Sequence, residues 1–333
     1  MFESQADSSS TTDPPQPERD FPHVEPPTTS FFVQLFVMPA LIVCGIMLGW
    51  FLLDRFAGRR RPVEEYLAII GSDRRDRWAA AHDLYLILSR NGSYAADEQL
   101  AGRIAEQLDR ALSATPCDEP YASYLAGALG WFQSPVGVDV LNRACQREHP
   151  KLVRESALFA LSRLAHRLGA IAHETVARDV AEYLQTDPDA SIRERCAYFF
   201  SHACDRRGES ALENALNDSV ATVRYNAANA LARLGNPASL PTLIEMLDED
   251  ALAAHFIVRT AHGETQQDRG AARITLDSAL QSIRALRRAN RQADVSKVMA
   301  ALQRLSARAA PEIGRRADEL LRELQADEAA SAR

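Results

Sequence analysis

One short block recurs along the chain, and its spacing limits the folds open to it. An arginine is followed by small or apolar residues three and four positions on, and by a leucine or phenylalanine seven positions on. The block reads Arg77, Ala80, Ala81, Leu84, then Arg154, Ala157, Leu158, Leu161. It returns as Arg193, Cys196, Ala197, Phe200 and as Arg224, Ala227, Ala228, Leu231. Offsets of three, four and seven place these residues on one face of a helix. The last three blocks are 39 and 31 residues apart (193 − 154 and 224 − 193), room for two helices and their turns. One such unit leaves its apolar face bare, so the repeats gain stability only by stacking. Small residues let neighbouring helices approach while the residue at the seventh position fills the shared core.

The last two blocks also share a lead-in. Asp187-Pro188-Asp189-Ala190-Ser191-Ile192-Arg193 parallels Asp218-Ser219-Val220-Ala221-Thr222-Val223-Arg224. Asp187 and Asp218 stand where a helix N-cap is expected, and Gly235 followed by Pro237 reads as a stop and restart. The pattern resembles the HEAT-repeat family, in the short form also found in bilin-lyase-like proteins. That resemblance implies pairs of antiparallel helices, the second opening on the D-x-x-x-x-V-R signature, stacked into an α-solenoid. It is clear over residues 62–90 and 150–250 and weaker from Ile313 to Leu324, where Gly314 stands in the arginine position. Between 95 and 147 helical periodicity continues without the signature, so five to seven repeats are expected. The family uses a ladder of Asp and Arg contacts to fix adjacent repeats. By resemblance Arg77, Arg154, Arg193 and Arg224, with Asp187 and Asp218, form that ladder; the alternative is an anion-binding stripe of arginines.

Residues 31–53 carry no charge, and 14 of them are Leu, Ile, Val or Phe. At about 1.5 Å per residue they reach roughly 34 Å, enough for a ~30 Å hydrocarbon core. The segment is apolar all round, unlike a surface helix of a globular domain, and it lacks the basic lead and small-residue exit of a cleavable signal. A single transmembrane helix is expected. Arg55, Arg59, Arg60 and Arg61 follow it and the preceding side is acidic, which predicts an outer N-terminus and a cytoplasmic C-terminal domain at a cell (inner) membrane. Gly45 and Gly49 form a small-xxx-small pair through which two copies could dimerise. The organisation read from the chain is a disordered acidic, Pro-rich tail over 1–30, the span over 31–53 and a basic linker over 54–62. An all-α solenoid of HEAT-like hairpins over 63–325 and a disordered end over 326–333 complete it.

The net charge of −7 is uneven, because residues 1–30 hold six acids and one base. The remainder stands at −2 (−7 minus −5), too little positive charge for a general phosphate-backbone binder, so no nucleic acid is expected. Only Lys151 and Lys297 are lysines among 38 basic residues, a bias associated with GC-rich, bacterial coding. Cys44, Cys117, Cys145, Cys196 and Cys204 lack CxxC spacing and read as buried thiols of a reducing compartment. No stretch alternates as a strand.

Catalytic and cofactor signatures are missing from the sequence. His173-Glu174 begins a zincin motif, but Ala177 stands where the second histidine belongs, and no phosphate loop or nucleophile elbow occurs. No enzyme, metal or cofactor is expected. The reading that remains is a membrane-anchored scaffold binding a cytoplasmic protein partner, with a bilin-lyase-like accessory role or nucleic-acid binding as alternatives. The array breaks after Leu247, and more than twenty residues pass before helical periodicity resumes near Ala271. Within the break, His255, Phe256, Arg259 and His262 are candidates for a partner-binding loop; otherwise Phe256, Ile257 and Val258 form a short packed helix and residues 259–270 a turn.

Overall fold

The protein is described by a computed structural model covering residues 36–57, 62–72, 75–169, 174–259 and 265–331. It divides into two compact units, Met1–Arg60 and Arg61–Arg333. The expected tail over 1–30 and residues 58–61 of the linker, with Arg59, Arg60 and Arg61 among them, lie outside the described residues.

In the first unit one helix, α1, runs from Met38 to Ala57. Its apolar side chains have no cover: Leu41, Ile42, Val43, Ile46, Met47, Leu48, Trp50 and Phe51 are each more than half exposed. Among the described residues no helix is long and apolar enough to cross a membrane, which corrects the expectation of a complete span. The described apolar side chains cover 36–51, 16 residues, or about 24 Å of helix against a ~30 Å core. Residues 31–35, the start of the expected span, lie outside the described ones.

The second unit is the helical array. Its helices pair as α2 (Val63–Ile70) with α3 (Arg77–Arg90), α4 (Glu98–Ser113) with α5 (Glu119–Leu129), and α6 (Val138–Ala144) with α7 (Lys151–Leu168). Then come α8 (Glu174–Thr186) with α9 (Ala190–Ala203), and α10 (Glu209–Ala215) with α11 (Ala221–Arg233). After them α12 (Leu240–Glu245) and α13 (Glu249–His255) together face α14 (Arg269–Ala289), and α15 (Ser296–Arg308) pairs with α16 (Pro311–Ser331). Among the described residues this makes seven pairs, the upper end of the expected range. The second helices α3, α5, α7, α9, α11 and α14 pack each on the next as one continuous layer. The recurring block explains why: Ala81, Leu84, Ala157, Leu158, Leu161, Cys196, Ala197, Phe200, Ala227, Ala228 and Leu231 are all buried between these helices.

Glycine sets two of the close approaches. A Cβ on Gly130, just after α5, would lie 2.8 Å from Cα of Ala160 in α7, a backbone atom that cannot swing away. Gly235 ends the α11 region at φ +80°, a left-handed conformation that L side chains rarely adopt, and Pro237 opens the next turn.

Four expectations change at the level of local structure. Asp189, rather than Asp187, caps α9 by accepting from Ser191 N at 2.9 Å, and Val220 occupies the cap position of α11. Asp187 and Asp218 each accept from the backbone N–H two residues on, at 3.0 and 2.8 Å; this turn leads the chain into the helix and leaves carboxylate oxygen free for another partner. In the break, α13 is followed by an antiparallel hairpin, β1 (Ile257–Arg259) with β2 (Thr265–Gln267), where no strand was expected. Helix α16 continues to Ser331 instead of ending at 325, as the helix-favouring Ala and Glu residues of that end allow. Cys145 and Cys196 are buried, but Cys44 and Cys204 are exposed. Cys204 closes α9 at φ 49°, where the last turn meets solvent.

Replacing Gly130 with alanine should lower stability by about 1–3 kcal/mol, the usual cost of inserting a carbon into a packed contact. Chemical denaturation read by circular dichroism checks this, with Gly92→Ala, where a Cβ meets nothing within 4 Å, as the comparison.

Candidate functional site

Two sets of side chains define the array: a ladder of ion pairs that joins the repeats, and a groove along the face of the second-helix layer. In the ladder Arg77, Arg154 and Arg193 each reach the carboxylate that opens the next repeat's second helix, and Arg224 reaches Glu245 at the end of α12. Arg154 Nη2 donates to Asp187 Oδ2 and its Nε to the carbonyl of Cys145 at 3.0 Å; the Asp187 side chain is fully enclosed. Arg193 donates to Asp218 through Nε at 2.7 Å and Nη2 at 3.0 Å, and through Nη1 to the carbonyl of Asp187 at 3.0 Å. Arg224 donates to the Asp218 carbonyl and to Glu245 Oε1, each at 3.0 Å. Arg77 reaches Asp118 at 3.3 Å, with its guanidinium 4.5 Å from the centre of the Tyr121 ring. The rung missing between α5 and α7 is explained by sequence, because Ala122 stands where the arginine would be. All four arginines are thus engaged within the fold.

The Arg193 hydrogen bonds hold the Asp218 carboxyl below its ordinary value. A carboxyl depressed in the folded state stabilises fully above its unfolded value and loses that contribution as pH falls through the folded one. The array should therefore weaken in acid below about pH 4, and Asp218→Asn should remove part of that pH dependence; denaturation midpoints at neutral and acid pH measure it. Removing one partner of a buried pair typically costs about 3–5 kcal/mol, whereas partly exposed pairs contribute about 0–1. Arg154→Ala should accordingly destabilise far more than Arg224→Ala, since the Arg224 and Glu245 side chains are 20% and 35% exposed. Equal losses in the melting curves would contradict this ranking.

The groove is lined by the positions at which the recurring block varies. Counting from each block arginine, the second, fifth and ninth residues point out of the layer. They are Ser156, Phe159 and Arg163 on α7, and Arg195, Tyr198 and His202 on α9, with Asn226 and Asn229 on α11. Three hollows follow one another and share Phe159. One of about 250 Å³ lies among Tyr85, Tyr124, Gly127 and Phe159, and another of about 250 Å³ among Arg163, His166, Arg167, Tyr198 and His202. The third, about 340 Å³, runs from Arg195 and Tyr198 past Asn226 to Phe256 and Ile274. Arg163 stacks 3.1 Å from the centre of the Trp131 ring, and Phe159 stacks on Tyr198 at 6.2 Å. His202 lies 4.4 Å from Tyr198 and 5.5 Å from His166, ring centre to ring centre. Burial pushes its imidazole below the ordinary value, and Arg233 and His166 push the same way.

Polar groups in the groove are unevenly satisfied. Asn229 is committed, donating to Ser278 and accepting from Ser282, at 2.9 and 2.8 Å. Arg163 Nε is enclosed without an acceptor. Among the described residues lining the three hollows Glu194 is the sole acid, and it accepts from Thr222 Oγ1 at 2.7 Å.

The other sequence candidates are scattered. A Cβ on Gly45 or Gly49 would meet nothing within 4 Å. His255 lies 3.9 Å from Glu245 and 6.2 Å from the Tyr225 ring centre, beside the groove's far end. Phe256 is half-buried and lines the third hollow, but Ile257 and Val258 are exposed rather than docked, because they lie on the hairpin and not on a packed helix. His262 and the side chain of Arg259 lie outside the described residues. Among the described residues no group of three or more His, Cys, Asp or Glu is placed to hold a metal ion.

Residues 177–261 match the family profile described as HEAT repeats. No curated protein sequence matches the chain. Among solved structures, the complex of CpcE and CpcF of phycocyanin lyase from Nostoc sp. PCC7120 is similar at 18% identity and TM-score 0.46, over 80% of this chain and 95% of that one. A designed armadillo repeat protein in complex with peptide (KR)4 is similar at 13% identity and TM-score 0.44, over 66% of this chain and 98% of that one. Human deoxyhypusine hydroxylase in complex with glycerol is similar at 15% identity and TM-score 0.31, over 84% and 99% of the two chains.

Proposed function

We propose that this chain is a membrane-tethered scaffold whose array of HEAT repeats binds a protein partner on the cytoplasmic side. The observation that carries the reading is the groove itself. Six stacked helices present aromatic rings, free guanidinium groups and amides along one face, while the residues that build the core sit at the alternate positions. Half-buried aromatic and arginine side chains of this kind are the usual anchors of a protein interface. The solenoid's near-neutral charge argues against nucleic acid as the ligand.

The tether rests on α1 and the residues before it. Apolar side chains that point in every direction from one helix remain costly in water, roughly 1.5–3 kcal/mol for each large one left uncovered. Hydrocarbon covers all of them at once, and residues 31–35 lengthen the segment to the 23 residues a span needs. The arginines at 55 and 59–61 support a cytoplasmic array, since basic residues flank the cytoplasmic end of a span.

Two measurements test the reading. A reporter fused after Arg333 should be active only in the cytoplasm, with the chain retained in membranes after alkaline washing; release by that wash would remove the tether. Crosslinking of the full chain in membranes should yield partners that Phe159→Ala with Tyr198→Ala loses. An unchanged partner set would move the interface off the groove.

A further inference from the structure

The middle of the groove is positively charged, although the array as a whole is not. The second hollow and its borders hold Arg163, Arg167 and Arg195, together with His166 and His202. For Arg163 and Arg195 no carboxylate of the chain comes within pairing distance among the described residues; each instead lies against an aromatic ring, Trp131 for Arg163 and Phe159 for Arg195, the latter at 5.3 Å. Among the described residues Arg167 donates only to the Trp131 carbonyl. This contrasts with the ladder, where every block arginine has its acid. A guanidinium stacked on a ring keeps its N–H donors in its own plane, parallel to the ring, where its outer edge is pre-organised to take a carboxylate in two parallel hydrogen bonds.

On either side of that charge the lining changes. Toward α3 the hollow is apolar and aromatic, with Tyr85, Tyr124, Leu152 and Phe159. Toward α14 it offers amides and hydroxyls, including Asn226, whose side chain has no hydrogen-bond partner among the described residues. The hollows cross six helices, five steps of about 8–10 Å, or roughly 45 Å. An extended peptide covers that length with about twelve residues at ~3.5 Å each.

We propose that the groove binds an extended acidic peptide segment of the partner, its carboxylates held by Arg163, Arg167 and Arg195, its backbone by Asn226, and an apolar side chain by the Tyr85–Phe159 hollow. The assignment rests on the scaffold reading above and adds the chemistry of the partner. Charge complementarity selects the acidic class, because the hollows contain one acid, already bonded to Thr222. It also separates this groove from one built for basic peptides, which would need acids where the arginines stand. Carboxylates brought beside His202 would favour its charged form and draw its titration back up, opposing the effect of burial.

The probe is a fluorescein-labelled peptide of about twelve residues built from Glu, Asp and Leu, with a Lys, Arg and Leu peptide of equal length as its counterpart. The full chain is held in phosphatidylcholine discs, and binding is followed by fluorescence polarisation. The acidic peptide should bind, weaken as salt rises, and lose about tenfold or more in affinity when Arg163 and Arg195 are both changed to Gln. Arg288→Gln, outside the groove, should bind as the unchanged chain does. Arg167→Gln with Arg195→Gln, which leaves the Arg163 to Trp131 stack intact, guards against a folding defect and should weaken binding in the same direction.

Equal affinity for both peptides, no affinity for the acidic one, or unchanged binding by both double variants overturns the assignment. So does the case in which the arginine variants lose binding to phosphatidylglycerol vesicles while the peptide never binds, since the groove would then serve an anionic lipid. If the acidic peptide fails but Phe159→Ala with Tyr198→Ala still loses the crosslinked partners, the scaffold reading stands and only the acidic chemistry falls.

Discussion

The buried contact between Arg154 and Asp187 is the constraint on which the rest of the array depends. The Asp187 carboxylate is fully enclosed and Arg154 nearly so, and a lone charge in that position would be severely penalised. Slipping α7 against α9 by even one turn would orphan both groups. The pair therefore selects one rotation between repeats from the many that apolar packing alone would tolerate, since alanine-lined faces fit one another in more than one register. The rungs from Arg193 to Asp218 and from Arg224 to Glu245 carry the same choice further along. Because the groove is only the outer side of the same helices, its shape follows from that registration.

What could be read from residues alone was whatever repeats. Small residues at the third and fourth positions, and Leu or Phe at the seventh, are uniform because every interface in the layer has to solve the same packing problem. They announced the helical array and its core. The groove residues were invisible to that search for the opposite reason. Phe159, Tyr198 and Asn229 occupy one position of the block in three repeats, and no two are alike. Positions outside the packed layer are under no common packing constraint and differ from repeat to repeat, so the signal was variation at a fixed offset within a constant frame. The strands escaped for a simpler reason: three residues each are too few for an alternating pattern to register.

The aspartates show how a correct residue can be given the wrong part. A residue four to six positions ahead of a helical block is a natural N-cap candidate, and in α9 that part falls to Asp189, whose carboxyl is drawn down to about 2, chiefly by its hydrogen bonds with Lys151 and Ser191. Asp187 and Asp218 act one turn earlier, each closing a tight turn with one oxygen and serving the preceding repeat with its carboxylate. One side chain thus directs the local chain and joins two repeats, which accounts for a spacing that capping alone does not explain.

Beyond Glu245 the joints of the array change in kind. Three ion pairs between α14 and α16, Arg273 with Glu312, Arg284 with Glu323 and Arg316 with Asp277, have side chains from a quarter to about half exposed, and in a fourth, Arg287 with Asp327, the acid is exposed although the arginine is buried. Ion pairs open to water are screened by dissolved salt, whereas enclosed ones are screened far less. The middle of the solenoid, with its enclosed rungs, and its C-terminal end consequently answer differently to ionic strength. The last pair of helices is the natural first unit to open, and amide hydrogens of α16 would exchange ahead of those of α7 by a margin that widens as salt is added.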